Sequence, residues 1–198
     1  YDGHQVICCV RDAHRFNSQK YPAGQVRVIE ANFLKPGTLS NIPDDIDVAF
    51  YLIHSMSSKK GDFEKMEAEC AQNFRDRLEK TSATQVIYLS GIVNETHLSK
   101  HLQSRKTVEK ILSVGRFALT TLRAGIIIGS GSASFEIIRD LVEKLPVMIT
   151  PRWVNTKCQP IAIRNVIQFL NGVIGYEPAY NKSFDIGGPD ILTYKQMM

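Results

Sequence analysis

The chain has 198 residues, 24 of them basic and 20 acidic, for a formal net charge of +4, and 43% of it is hydrophobic. That length and apolar share suffice for one substantial core and make no case for several domains. Charge is scattered without a block of like sign, which argues against a nucleic-acid-binding arm and leaves room for a mildly basic cleft holding an anionic ligand.

In chain order, the first apolar run is QVICCV at 5–10. Its near-continuous apolarity predicts a parallel strand covered on both faces, with Cys8 and Cys9 as small core residues. Together with Cys70 and Cys158 they fit neither a C-x-x-C pattern nor a zinc spacing, so no metal is expected and the thiols point to a reducing cytoplasm. VRVIEA (26–31) and DVAFYLI (47–53) are the next two strands. DFEKMEAECAQNFRDRLEKT (62–81) then places Phe63, Met66, Cys70, Phe74 and Leu78 at helical spacing, an amphipathic crossover helix. QVIYLS (85–90) is the fourth strand, followed by a helix from about Leu98 to Leu112 that Ser113 to Gly115 stops. ALTTLRAGIII (118–128) is a fifth strand, Ser134 to Leu145 a helix ended by Pro146, and SFDIGG (183–188) a last strand. No apolar stretch is long enough to span a bilayer, and the first residues do not resemble a signal peptide.

This alternation predicts an α/β fold: a doubly wound, mostly parallel, Rossmann-like sheet with helices on both faces. Residues 1–198 read as one dinucleotide-binding domain, with 130–198 contributing the substrate-side lobe. Such a fold opens with a strand and a Gly-rich turn whose backbone N–H groups receive a pyrophosphate at a helix N-terminus. YDGHQV reads instead as the turn into the second strand, so the expectation is that the first strand is missing from this chain.

Ligands of doubly wound sheets lie at the carboxyl ends of the strands, so the residues just past each strand are the candidates. Arg11 follows the first strand, where a guanidinium accepts the 2′-phosphate of NADP(H), which is favoured over NAD(H); Asp12 pulls the other way. Asn32, just past the second strand, joins the cofactor residues. Ile53, His54 and Ser55 border the expected adenine and ribose, although a lone histidine at a strand end is more often a satisfied polar residue than a catalyst. Ser90 faces the expected nicotinamide region, where its hydroxyl would polarise a substrate oxygen; it suits a turn equally well. At Ala124 and Gly125 the backbone can come close to a flat ligand. The glycines of LRAGIIIGSGS (122–132) lack the spacing of the dinucleotide fingerprint. Farther on, Arg152, Trp153 and Gln159 could line a substrate pocket, Gly187, Gly188 and Pro189 form a turn, and Thr193 caps a helix.

Taken in order, VICCVRD, DVAFYLIHSMS, VIYLSGI, HLQSRKTVE, TTLRAGIIIGSGS, QPIAIRNVI and FDIGGPDILTYKQM resemble an atypical short-chain dehydrogenase/reductase of the extended, NmrA-like and nucleoside-diphosphate-sugar epimerase-like kind. The resemblance covers essentially the whole chain and implies an NAD(P)(H)-binding oxidoreductase or epimerase-like enzyme working by hydride transfer on a small molecule. The family's catalytic Tyr-x-x-x-Lys falls on His101 and Arg105, with Ser104 and Glu109 meeting its following small residue and glutamate. In the family the tyrosine exchanges a proton with substrate, and the lysine binds the nicotinamide ribose. A spacing of four keeps His101 and Arg105 on one helix face. Arginine can hold ribose hydroxyls, and its fixed charge should push His101 below the ordinary histidine range, making it a better proton acceptor than acid. A non-catalytic NADP(H)-sensing regulatory protein is the alternative, and a homodimer is the assembly considered.

Overall fold

The computed structural model describes residues 3–17, 20–22, 24–53, 63–92, 100–129, 136, 139–140 and 152–197, with the backbone alone at 100, 101, 152 and 153. Strand β1 (Val6–Val10) pairs in parallel with β2 (Val26–Glu30), in register from Val6 opposite Val26 to Val10 opposite Glu30. A separate four-stranded sheet runs β3 (Val48–Tyr51), β4 (Gln85–Gly91), β5 (Ala118–Ala124) and β9 (Lys182–Ile186), every neighbour parallel. Parallel neighbours require crossovers, which helices α1 (Phe63–Leu78), α2 (Lys100–Leu112) and α3 (Ile163–Gly172) supply.

The period of two in the strands decides which helix each side chain meets. Tyr51, Tyr88 and Leu119 turn to one face and pack with Cys70, Phe74 and Leu78 of α1 and Val108 and Leu112 of α2. Ile87, Leu122 and Ile186 turn to the other, against Val166 and Leu170 of α3. The first cluster also takes in Ile29, Phe33, Leu39 and Ile42, so β1 and β2 share a core with β3 although no strand hydrogen bonds join them. The expected Rossmann-like arrangement, helices on both faces of a mostly parallel sheet, is what the chain adopts.

Several boundaries differ from the sequence reading. The run at 118–128 is not one strand: β5 ends at Ala124, and β6 (Ile127–Ile128) pairs with β8 (Ile161–Ala162) in a sheet of its own. Gly125 between them packs nothing and lets the chain leave the larger sheet, and Ile161 N–H then donates to Ile126 O at 2.9 Å. Cys8 and Cys9 are not core residues; Cys8 is half-buried and Cys9 exposed, and Val6 is 46% exposed. Apolarity predicted two covered faces, but both outer edges of the two-stranded sheet are unpaired by any described strand, and Val6 and Cys9 on β1 are exposed. α3 was not anticipated, although Ile163, Val166, Ile167 and Leu170 carry its spacing. Its first turn sits so close to Gly129 that a Cβ there would meet Ile163 Cγ2 at 2.3 Å, which gives that glycine a packing reason. The expected helix at 134–145 falls mostly outside the described residues; 136, 139 and 140 are helical.

Two polar side chains fix the ends of elements. Gln85, fully buried at the start of β4, donates from Nε2 to Thr120 Oγ1 at 3.1 Å and Val173 O at 2.8 Å, while its Oε1 accepts from Gly175 N at 2.9 Å. It ties the loop after α3 to the amino end of the sheet. Arg77, in the last turn of α1, donates to the carbonyls of Leu39 and Ile42 and pairs with Asp44 at 2.6 Å, holding the β2–β3 connection. Near the end of the chain, β7 (Lys157–Cys158) and β10 (Leu192–Thr193) pair antiparallel, and Thr193 caps the short helix α4 (Tyr194–Met197) as expected, its Oγ1 accepting from Gln196 N. A Cβ on Gly188 would collide with Pro160 O, so the backbone approaches closely there, whereas one on Gly187 would meet the Gln159 side chain.

Candidate active site

α2 meets α1 through Ser104, Val108 and Leu112, all buried and spaced by four. Ser104 Oγ donates a short hydrogen bond to Glu67, a carboxylate buried on the apolar side of α1. This bond fixes the register of the two helices. It thereby fixes the neighbouring Arg105, which turns toward β4 and interacts with Tyr88 and Tyr51.

Tyr88 stands two residues before Ser90 on the same side of β4, near its carboxyl end. Burial lifts the Tyr88 phenol above its ordinary value of 10.0, while Ser90 and the Arg105 guanidinium pull it back. Both Tyr88 Oη and Ser90 Oγ are buried without a completed hydrogen bond. Two close hydroxyls beside a guanidinium, each with spare bonding capacity, form a polar spot inside an otherwise apolar layer. Such a spot can donate to, or accept from, a ligand oxygen at the strand tip. Tyr51 is raised much further, chiefly by burial, and stays a neutral wall of this spot.

Arg11, Asn32, Ile53, Ala124 and Gly125 fall at strand ends as expected but differ in what they can offer. Arg11 is exposed just past β1, close enough to α1 that its charge is felt at the Cys70 thiol, which burial pushes up to about 11. Asn32 spends its side-chain oxygen on Leu34 N at 3.0 Å, and its own N–H donates to Thr38 Oγ1 at 2.9 Å. Ile53 packs at the margin of the first core cluster. Ala124 is buried opposite Gly91, its carbonyl accepting from Ile92 N at 3.1 Å. A Cβ on Gly125 would make only an ordinary 3.6 Å contact with Gln159 O, so packing alone does not demand a glycine there. Gln159 donates to Gly188 O at 2.6 Å. His54 and Ser55 lie outside the described residues, as do the side chains of His101, Arg152 and Trp153.

The structure thus brings Ser90 and Arg105 together, with Ala124 one strand away, and leaves Arg11 and Asn32 at the tips of the other sheet. Tyr88 and Glu67 were missed. The signal for Tyr88 was its place two residues from Ser90; for Glu67 it was a lone carboxylate between Phe63 and Cys70 on the apolar side of a helix. Among the described residues no group of three or more histidine, cysteine or acidic side chains could hold a metal ion, and no helix is long and apolar enough to cross a membrane.

No family model matches the chain, and no curated protein matches its sequence. Solved structures match its fold. WbmG of Bordetella bronchiseptica, in complex with NAD and UDP, superposes with a TM-score of 0.75 at 12% identity over 98% of this chain and 68% of that one. The epimerase Mth375 of Methanothermobacter thermautotrophicus gives 0.76 at 10% identity, over 98% and 67%. UDP-N-acetylglucosamine 4-epimerase from Bacillus cereus gives 0.70 at 18%, over 98% and 74%. At such identities the likeness is one of fold.

Proposed function

We propose that the chain is a single nicotinamide-dinucleotide-binding domain of an extended, NmrA-like short-chain dehydrogenase/reductase, acting as an oxidoreductase or epimerase-like enzyme on a nucleotide-sugar-like small molecule. The observation that carries this reading is the convergence of Ser90, Tyr88 and Arg105 at the carboxyl end of β4, where two buried hydroxyls beside a guanidinium complete no hydrogen bond. Structures of the same fold solved with NAD support the cofactor class.

In this reading Arg105 holds the nicotinamide ribose, Ser90 orients a substrate oxygen, and His101, four residues before Arg105, accepts the substrate proton. The bound dinucleotide supplies hydride transfer. Arg11, with His54 and Ser55, faces the adenosine end, and its exposed guanidinium favours NADP(H) over NAD(H). Ile53, Ala124 and Gly125 offer backbone to the flat rings, and Asn32 borders the ribose through its amide nitrogen, which bonds nothing among the described residues. The pyrophosphate needs a Gly-rich turn that the described residues do not contain. β1 and β3 each keep an edge that no described strand pairs, and a further parallel strand between them would bring such a turn to the strand tips. All four cysteines are free, which suits a cytoplasmic protein. The absence of the Tyr and Lys pair from the His101–Arg105 frame favours the second reading, a dinucleotide sensor without turnover.

Calorimetric titration of the full-length protein with NADP+ and NAD+ tests the reading. Arg105→Ala should weaken binding by about tenfold, the worth of one charge-assisted hydrogen bond, and Arg11→Ala should narrow the preference for NADP+. His101→Phe should keep binding and lose turnover in a screen of nucleotide sugars. Folded protein that binds neither dinucleotide would overturn the proposal.

A further inference from the structure

A groove of about 800 Å³ runs along the β9 side of α2, away from the face that meets α1. Its floor is β5 and β9, and its rim carries Lys106 and Lys110, one turn apart on α2, and Lys182 at the start of β9. Among the described residues none of these three lysines pairs with a carboxylate. The one acidic group in the groove, Glu109, is already taken: it accepts from Arg123 Nη2 at 2.8 Å and from Ser183 Oγ at 2.6 Å. The groove therefore concentrates positive charge in a chain whose net charge is only +4.

Its floor holds two polar atoms with nothing to bond. Thr121, 1% exposed, has a hydroxyl without a partner, and Arg123 Nε is buried with no acceptor although Nη2 is paired. Unsatisfied buried donors are few in folded proteins, because each forfeits its hydration without recompense. Two of them beneath three unpaired lysines call for the same missing group, an oxygen-rich anion.

We propose that this groove binds a small, multiply charged oxyanion of the phosphate-bearing metabolite class, with Thr121 and Arg123 beneath it and Lys106, Lys110 and Lys182 around it. The site is distinct from the proposed dinucleotide site: Tyr88 and Arg105 meet over β4, whereas these residues open over β5 and β9. Arg123 nevertheless pairs in register with Ser90, so the two sites share a strand pair.

The test is a titration of isotope-labelled full-length protein with inorganic pyrophosphate at constant ionic strength, followed by NMR. Saturating shifts are expected at Thr121, Lys182 and Ser183 and at the Arg123 Nε–H. The double variant Lys106→Glu, Lys110→Glu, both exposed positions, should weaken binding by at least about tenfold and leave dinucleotide binding unchanged. Thr121→Val should also weaken it while raising the unfolding midpoint, since an unpaired buried hydroxyl is removed. Shifts that never saturate, or that titrate alike in the charge-reversed variant, mean diffuse charge attraction and overturn the proposal. Saturating shifts confined to Arg11 and the ends of β1 and β3 overturn it too, by placing pyrophosphate in the dinucleotide cleft.

Discussion

A buried tyrosine usually loses stability when its hydroxyl is cut away, because the oxygen is bonded. Tyr88 should behave otherwise. Its oxygen completes no hydrogen bond, so Tyr88→Phe is expected to leave the urea midpoint within about 1 kcal/mol of the parent or to raise it. A loss above about 2 kcal/mol would show the phenol to be bonded in the folded state. At this scale the sequence was partly legible. Ser90 could be singled out because strand-end position is a property of local sequence, and Arg105 because the Tyr-x-x-x-Lys frame implied by the family resemblance falls on it. Tyr88 was passed over because VIYLS reads as ordinary core: its place two residues from Ser90 was a weak signal, and the packing of α2 over β4 is what brings a guanidinium beside its ring. Asn32 shows the converse: it stands just past β2, but its oxygen is spent on its own turn, a choice that the residue type alone does not reveal.

Among elements, the contact of α1 with α2 carries the first core cluster. Leu112 is fully buried there, whereas Val114, two residues on, is 65% exposed. Leu112→Ala should therefore cost about 2–5 kcal/mol by lost transfer energy and a residual cavity. Val114→Ala should stay within about 0.5 kcal/mol, as surface changes do. Chemical denaturation of the two variants side by side checks the contrast, and equal losses would contradict the packing described. The strands and the first two helices were legible because parallel strands are apolar runs and α1 shows a clean helical period. α3 was harder to see, since its apolar residues begin inside IAI, a triplet that fits a strand equally well. There the chain does both: Ile161 and Ala162 pair in β8, and the helix begins at Ile163.

For the molecule as a whole, burial raises Tyr51 and Tyr88 above 10.0. The unfolded chain would release both protons near pH 10, while the folded chain keeps them. Stability from these groups is thus complete below pH 10 and declines as pH rises from there toward the higher folded values. The decline should approach about 1.4 kcal/mol per pH unit for Tyr51, whose shift is large, with Tyr88 adding to it in the same direction. Unfolding midpoints measured from pH 8 upward should be level and then fall, and the double variant Tyr51→Phe, Tyr88→Phe should flatten the fall. A parent protein with no alkaline decline would argue against a buried pair. Fold class was readable at this scale, since strand and helix alternate along the chain. The separation of β1 and β2 from the four-stranded sheet was not, because nothing in VICCV or DVAFY tells which neighbour sits at each strand's edge.

The clamp at Gln85 gives β4 two unlike ends. At its beginning, one amide side chain satisfies three partners on two other elements, so no substitution there is neutral unless the partners change with it. Three and five residues later the strand carries the Tyr88 and Ser90 hydroxyls, which complete no hydrogen bond. Inherited variation should accordingly be filtered at one extremity and tolerated at the other, which leaves a descendant of this chain free to exchange its chemistry while its architecture stays put.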